Sequence, residues 1–102
     1  MRFIDNLYVS DNIKKKSSKI INKINNDKYP NDIYIIYISN NPNEQLEIIS
    51  LTMLKREHIK EVEYFVVGMS KGYDEALELV EDITKDVYKK DKNVNYKSYF
   101  LS

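Results

Sequence analysis

The chain has 102 residues, of which 42% are apolar and 31% are charged, so it can bury one modest core and is predicted to form a single domain over residues 1–102. Sixteen Lys and Arg residues balance sixteen Asp and Glu residues, which excludes a global field that would recruit nucleic acid or an anionic membrane. The absence of cysteine excludes disulfides and thiol catalysis, and the absence of a long apolar run excludes a membrane-spanning helix, so a cytoplasmic protein is expected.

The N-terminal part of the chain predicts a short extended segment followed by a helix. Residues 1–9 contain two apolar clusters, which indicate an edge strand or a packed arm. Ile13, Ile20 and Ile24 recur at helical spacing and predict a first helix with a narrow apolar stripe. Lysines fill much of the remaining circumference of this helix.

The middle of the chain predicts a β-hairpin. Residues 33–38 are all β-branched or aromatic, which is typical of a strand. The turn-forming segment 39–43 leads into residues 45–51, so the two strands are expected to be antiparallel. Residues 52–60 fit either a short helical turn or an irregular crossover.

The only two glycines, Gly68 and Gly72, separate a third predicted strand from a second predicted helix. Residues 62–67 have the composition of a strand, and residues 73–87 place apolar side chains on one helical face and carboxylates on the other. We therefore interpret Gly68 and Gly72 as a structural turn. Residues 94–101 alternate weakly and predict a further edge strand or an ordered tail.

These elements predict an α+β fold. The expected architecture is a two-layer α-β-β-β-α domain with a meandering, mostly antiparallel sheet, two helices and an optional C-terminal edge strand. A ferredoxin-like arrangement is the alternative, but it requires a helix between the early strands, where the sequence offers a hairpin.

The first and third predicted strands are apolar on both faces, which raises the question of what covers the second face. If both helices lie on one face, the other face needs a partner, and the sequence then predicts an interface containing Tyr34, Ile36, Ile38 and Phe65. A second copy of the chain is the favoured occupant, because symmetric dimers are common. Helices on opposite faces would remove the need for any partner.

The strongest candidate binding surface is the lysine-rich face of the first predicted helix. It could contact the phosphates of a nucleic acid, with Tyr8, Tyr29 and Tyr34 available to stack on single-stranded bases, or it could contact an acidic protein. A solvated helix face is the ordinary alternative. The residues of this surface are Lys14, Lys15, Lys16, Lys19 and Lys23. The carboxylates of the second predicted helix are interpreted as a solvated face, with an acidic docking patch as the alternative.

No set of residues has the pattern of a catalytic, cofactor or metal site. His58 is the only histidine and stands in a charged connector, and Ser70 is followed by Lys71 between the two glycines. Neither residue comes with an orienting third group, a metal-ligand motif or the ending of a phosphate-binding loop. We expect no enzyme, and an unrecognised site around His58 or Ser70 is the third hypothesis, after nucleic-acid binding.

One long stretch resembles a group of small uncharacterised bacterial α+β proteins. It runs Val66-Val-Gly-Met-Ser-Lys-Gly-Tyr-Asp-Glu-Ala-Leu-Glu-Leu-Val80, followed by Asp86-Val-Tyr88 and Tyr99-Phe100, and Leu7-Tyr-Val-Ser10 is similar too. In those proteins a strand, a glycine turn and an acidic helix recur near the C-terminus. The resemblance implies a self-contained bacterial domain and brings no activity with it. The expected function is therefore a small protein-protein interaction or regulatory module that forms homodimers or binds another protein.

Overall fold

The computed structural model describes residues 1–39, 45–56 and 63–101, which form a four-stranded mixed sheet flanked by helices. The strands are β1 (Arg2–Val9), β2 (Ile33–Ile38), β3 (Leu46–Ser50) and β4 (Phe65–Lys71). The helices are a 3-10 helix (Asp11–Lys16) and the α-helices α1 (Ser17–Asn25), α2 (Leu51–Arg56), α3 (Tyr73–Lys90) and α4 (Tyr96–Leu101). The α+β class is confirmed.

The strands lie in the order β1-β4-β2-β3. The predicted hairpin is confirmed, because β2 pairs with β3 in an antiparallel register. β4 pairs antiparallel with β2 and parallel with β1, so β3 and β4 run in the same direction with β2 between them. The sheet is therefore mostly antiparallel, with one parallel pair at an edge.

Helices cover both faces of the sheet, so the domain has three layers rather than the two predicted. On one face the 3-10 helix, α1 and α2 pack against the strands through a cluster that includes Ile13, Ile24 and Leu54. On the other face α3 and α4 pack through a cluster that includes Ile83 and Tyr96. The physical reason is that β2 and β4 carry apolar side chains on both sides, and each side must be removed from water.

The sheet face that the sequence assigned to a partner is covered by the chain itself. Ile36 is fully buried and Ile38 is 6% exposed, both in the cluster beneath α3 and α4. Tyr34 packs its ring against Tyr73 of α3 with 5.8 Å between ring centroids, and Phe65 is half-buried in the same cluster. The predicted interface at these four residues is therefore corrected to an internal core, because α3 and α4 supply the cover expected from a second molecule.

The two ends of the chain compare differently with the prediction. Residues 2–9 form the edge strand β1, which is one of the two alternatives expected for them, whereas residues 96–101 form α4 instead of a C-terminal edge strand. Apart from the 3-10 helix, the order β1-α1-β2-β3-α2-β4 is that of the ferredoxin-like alternative. The parallel β1–β4 pair at the edge and the cover of the opposite face by α3 and α4 distinguish the observed fold from it.

β4 continues through Gly68, which the sequence placed at the end of this strand. Tyr37 lies opposite Val66 and Ile36 lies opposite Gly68, so Val67 is an extra residue that forms a β-bulge. Only Gly72, with φ of +98°, lies at the turn into α3. None of the described helices has the length and apolar composition needed to cross a membrane.

Candidate functional site

The chain leaves the adjacent parallel strands β1 and β4 toward opposite faces of the sheet. After β1 it enters the 3-10 helix and α1 on one face, and after β4 it enters α3 on the other. In open sheets, connections that diverge in this way leave a crevice at the carboxyl ends of the strands, where ligands commonly bind. The topology therefore favours a binding site where β1 and β4 end.

A cleft of about 730 Å³ lies at this point and extends along α3. One wall is formed by the end of β1 and the start of the 3-10 helix, and the other by the side of α3 that faces β1. Leu7, Val9 and Leu79 contribute apolar surface to these walls. The cleft is thus long enough to receive an extended group along most of α3 and has both polar and apolar lining.

Carboxylates dominate the α3 wall of the cleft. Glu75, Glu78, Asp82 and Asp86 recur at intervals of three or four residues, so the 3.6-residue helical repeat places them along one side of α3. Among the described residues, no ion pair engages Glu75, Glu78 or Asp82. The whole lining holds five carboxylates and three lysines, which gives the cleft a formal net charge of −2.

An ion pair on the opposite wall of the cleft leaves that wall without net charge. Lys14 lies 2.8 Å from Asp11 within the 3-10 helix. This hydrogen bond and the attraction of the two charges lower the pKa of the Asp11 carboxyl and raise the pKa of the Lys14 ammonium. The unpaired negative charge of the cleft is therefore concentrated on α3.

A hydrogen bond between Tyr8 and Asp86 ties the two walls together. The Tyr8 hydroxyl of β1 donates to Oδ2 of Asp86 in α3 over 2.6 Å, and the Tyr8 ring meets Phe100 edge-on at 6.5 Å. Burial raises the pKa of Tyr8 well above its ordinary value, and the hydrogen bond to the Asp86 carboxylate and its charge raise it further. Tyr8 is therefore a neutral donor at physiological pH.

A closed set of hydrogen bonds holds the end of the cleft at the strand termini. The buried Ser10 hydroxyl accepts from the Lys71 backbone N–H at 3.1 Å and donates to Oδ1 of Asn12 at 2.5 Å. Asn12 in turn donates from Nδ2 to the Lys71 carbonyl at 3.0 Å. Because these groups satisfy one another, they position the two strand ends and the entrance of the cleft.

The residues considered for catalysis do not assemble into a site among the described parts of the chain. Ser70 is fully buried, and its hydroxyl donates to the Gly72 carbonyl at 2.9 Å, so it closes the turn into α3 and is not accessible as a nucleophile. His58 lies outside the described residues. Within residues 1–39, 45–56 and 63–101, no three His, Asp or Glu side chains are grouped so as to hold a metal ion.

The lysine surface is present, and the three tyrosines that could stack on bases are divided between the two faces of the sheet. The five lysines are all exposed on the 3-10 helix and α1: Lys14, Lys15, Lys16, Lys19 and Lys23. Lys14 is engaged with Asp11. Tyr29 packs in the cluster beneath the 3-10 helix and α1, whereas Tyr8 and Tyr34 belong to the cluster on the opposite face of the sheet, beneath α3 and α4.

The sequence marked the carboxylates of α3 as an alternative docking patch but did not identify the cleft. The helical spacing was sufficient to place these carboxylates on one side of a helix. The other wall was missed because Tyr8 and Asp86 are 78 residues apart and no local pattern connects them.

The chain matches no family model, no curated protein and no solved structure, so its likeness to small bacterial proteins stays a prediction.

Proposed function

We propose that this protein is a non-enzymatic interaction module whose cleft between β1 and α3 binds a basic segment of another protein. The observation that carries the proposal is the position of the cleft, which lies where β1 and β4 diverge and has a row of carboxylates on its α3 wall. The absence of cysteine suits such a role in the cytoplasm.

The chemistry of the lining favours lysine or arginine side chains over other ligands. A phosphate group would meet Glu75, Glu78 and Asp82 with repulsion, whereas an ammonium or guanidinium group would be attracted. The apolar stems of those basic side chains can lie against Leu7 and Leu79 while their charged ends reach the carboxylates. A volume of about 730 Å³ suits several side chains of a peptide rather than a folded domain.

The proposal is tested with a short fluorescent peptide that alternates lysine and leucine, followed by anisotropy. The peptide is expected to bind with an affinity that falls as salt rises. Glu78→Gln combined with Asp82→Asn removes two carboxylates of the cleft. Because an exposed ion pair contributes about 0.2–1 kcal/mol, this double substitution should weaken binding by about 2- to 30-fold.

A matched control removes the same charge from α3 outside the cleft. Asp74 and Glu81 are exposed and do not line it, so Asp74→Asn combined with Glu81→Gln should leave the affinity close to that of the wild type. Equal losses in the two double variants would show that only overall charge matters. Equal binding of a peptide with glutamate in place of lysine would also refute the proposal.

Nucleic-acid binding through the 3-10 helix and α1 is the second candidate, because the five lysines are all exposed on these two consecutive helices. Reversal of charge at Lys15, Lys16 and Lys19 to glutamate should then abolish retention on heparin. Tyr8 and Tyr34 are separated from these lysines by the sheet, and Tyr29 on the lysine side is half-buried against the core cluster, which supports the peptide proposal instead. Unchanged retention after the reversal removes the nucleic-acid candidate.

A further inference from the structure

We propose that two copies of this chain associate through the outer edge of β3, so that their four-stranded sheets join into one continuous sheet of eight strands. This inference does not depend on the peptide-binding proposal, because β3 and the cleft beside β1 lie at opposite edges of the sheet. Its occupant is a second copy, and the argument comes from the backbone of β3, its side chains and the neighbouring flank of α3.

The two edge strands of the sheet, β1 and β3, differ in how far they prevent pairing with a strand of another molecule. In β1, Phe3 lies opposite Val66 and Tyr8 lies opposite Gly68, so four residues bulge against a single residue of β4. Such a bulge prevents regular pairing with another strand. β3 pairs with β2 without interruption from Leu46 to Ser50, contains no proline or lysine, and has no described strand on its outer side. Apart from the exposed Glu47, its side chains are apolar or small, and regular edges of this kind favour strand addition.

The hydrogen-bond pattern shows which groups of β3 face outward. The Ser39 N–H donates to the Gln45 carbonyl at 3.1 Å, just beyond the β2–β3 ladder. Antiparallel pairs alternate between bonded and non-bonded types, so the backbone groups of Leu46, Ile48 and Ser50 point away from β2. Leu46 and Ile48 therefore present the N–H and C=O groups that another strand would use. Ser50 presents its N–H alone, because it caps α2: its hydroxyl accepts from the Met53 N–H at 3.1 Å and its carbonyl begins the helical hydrogen bonds.

An antiparallel register centred on Ile48 satisfies these groups with a second β3. Ile48 then lies opposite Ile48 of the other copy, and Leu46 lies opposite Ser50, so every outward-facing residue meets another outward-facing residue. Glu47 lies opposite Ile49, which avoids direct opposition of like charges. The strand is thus self-complementary in the geometry that a twofold axis requires.

The flank of α3 that faces away from the cleft adds apolar surface beside this edge. Tyr73, Leu77 and Tyr88 recur at helical spacing on this flank and are 51%, 46% and 53% exposed. The packing of Tyr73 against Tyr34 of β2 shows that the flank lies on the β2–β3 side of the helix.

On the face of the sheet that α3 covers, side chains of β3 extend this apolar surface to the edge of the sheet. Leu46 and Ile48 of β3 are half-buried in the cluster beneath α3 and α4. A twofold axis perpendicular to the sheet would place these side chains from both copies in one continuous strip between the two α3 helices. Association through β3 therefore removes apolar surface from water as well as pairing the backbone.

Light scattering tests the proposal directly. The wild type should have a mass of twice 12.1 kDa, whereas Ile48→Lys and Ile48→Glu should each have a mass of 12.1 kDa, because like charges would face each other across the axis. An equimolar mixture of the two variants should regain the dimer mass. Asp5→Lys, on the exposed outer side of β1, is the control and should leave the dimer intact. A monomeric wild type at high concentration, or a mixture that stays monomeric, would overturn the proposal.

Crosslinking gives a second measurement that does not require a charged side chain at the edge. The chain contains no cysteine, so Ile48→Cys introduces a single thiol. Directly opposed residues of a hydrogen-bonded pair have Cα atoms about 5.5 Å apart, which is within the range of a disulfide. Mild oxidation should give a covalent dimer for Ile48→Cys and none for Asp5→Cys, and equal crosslinking of both variants would refute the assigned edge.

Discussion

Substitution of Gly68 by alanine should destabilise the fold through overpacking. A Cβ at this position would lie 2.9 Å from Cδ1 and 3.3 Å from Cβ of Ile36, the residue opposite it across the β-bulge. Ile36 is fully buried, so it cannot turn into solvent to make room. Overpacking of this kind costs about 1–3 kcal/mol of the free energy of unfolding. With a urea dependence of about 1–3 kcal/mol/M, the unfolding midpoint should fall by about 1 M.

The specific cause can be isolated by shortening the side chain that would be struck. Ile36→Val removes Cδ1 and should by itself cost about 0.5–1.5 kcal/mol. In the Gly68→Ala background the same change should cost less or even stabilise, with a coupling free energy of about 1 kcal/mol between the two sites. Ile83→Val is the control, since it removes one methylene from the same cluster. Additive effects of Gly68→Ala and Ile36→Val in urea unfolding would refute the reasoning.

Two further positions give sharp expectations. Gly72→Ala should lower the free energy of unfolding by about 1–2 kcal/mol, because Gly72 has a positive φ of +98°. A second substitution, Glu75→Ala, should not restore this stability, since the Glu75 carboxylate near the new Cβ can move away. Urea unfolding measures both effects, and restored stability in the double variant would indicate a clash with Glu75 instead. Tyr8→Phe should lower the free energy of unfolding by about 1 kcal/mol, because the hydrogen bond to Asp86 is lost. The folded-state pKa of Tyr8 is raised, so the contribution of Tyr8 to the free energy of unfolding is complete below the unfolded pKa of about 10 and is lost at higher pH. The stability of the wild type should therefore fall faster than that of Tyr8→Phe above that pH. Alkaline difference absorbance should likewise show a late-titrating component that is missing from Tyr8→Phe, and an unchanged titration would contradict the assignment.

Local patterns were sufficient to predict the elements whose signals are contained within a few residues. The run of β-branched and aromatic residues in β2 predicted a strand from Ile33 to Ile38, which is where it lies. The periodicity of α3 and the turn-rich connection between β2 and β3 were similarly informative. Each of these signals depends on side-chain alternation or helical spacing, which the sequence displays directly.

The layer arrangement required information that no local pattern contains. Apolar side chains on both sides of β2 showed that both faces need cover, but α1 and α3 could in principle share a face or divide the two. The outcome depends on the face toward which the chain turns after β1 and after β4. It therefore depends on the parallel pairing of these two strands, which are about 60 residues apart in the sequence and whose pairing is not specified by periodicity.

The same limit explains the misplaced strand end and the missed cleft. A glycine after a β-rich run is a common strand terminator, yet Gly68 instead accommodates a bulge against Ile36 in the middle of β4. Asp86 has the sequence context of a solvated helix face, and only the tertiary fold brings Tyr8 within 2.6 Å of it.

α3 explains why one small domain presents two distinct surfaces. Its buried stripe, which includes Ala76, Ile83 and Val87, is narrow because neighbouring helical positions diverge by about 100°. The positions on either side of the stripe therefore face the two edges of the sheet, with carboxylates toward β1 and exposed apolar side chains such as Leu77 toward β3. A carboxylate beside β3 would hinder association of apolar edges, and a leucine beside β1 would remove charge from the cleft. The division of side chains between the two flanks thus matches an ionic contact at one edge and an apolar contact at the other, which is the arrangement that both proposals require.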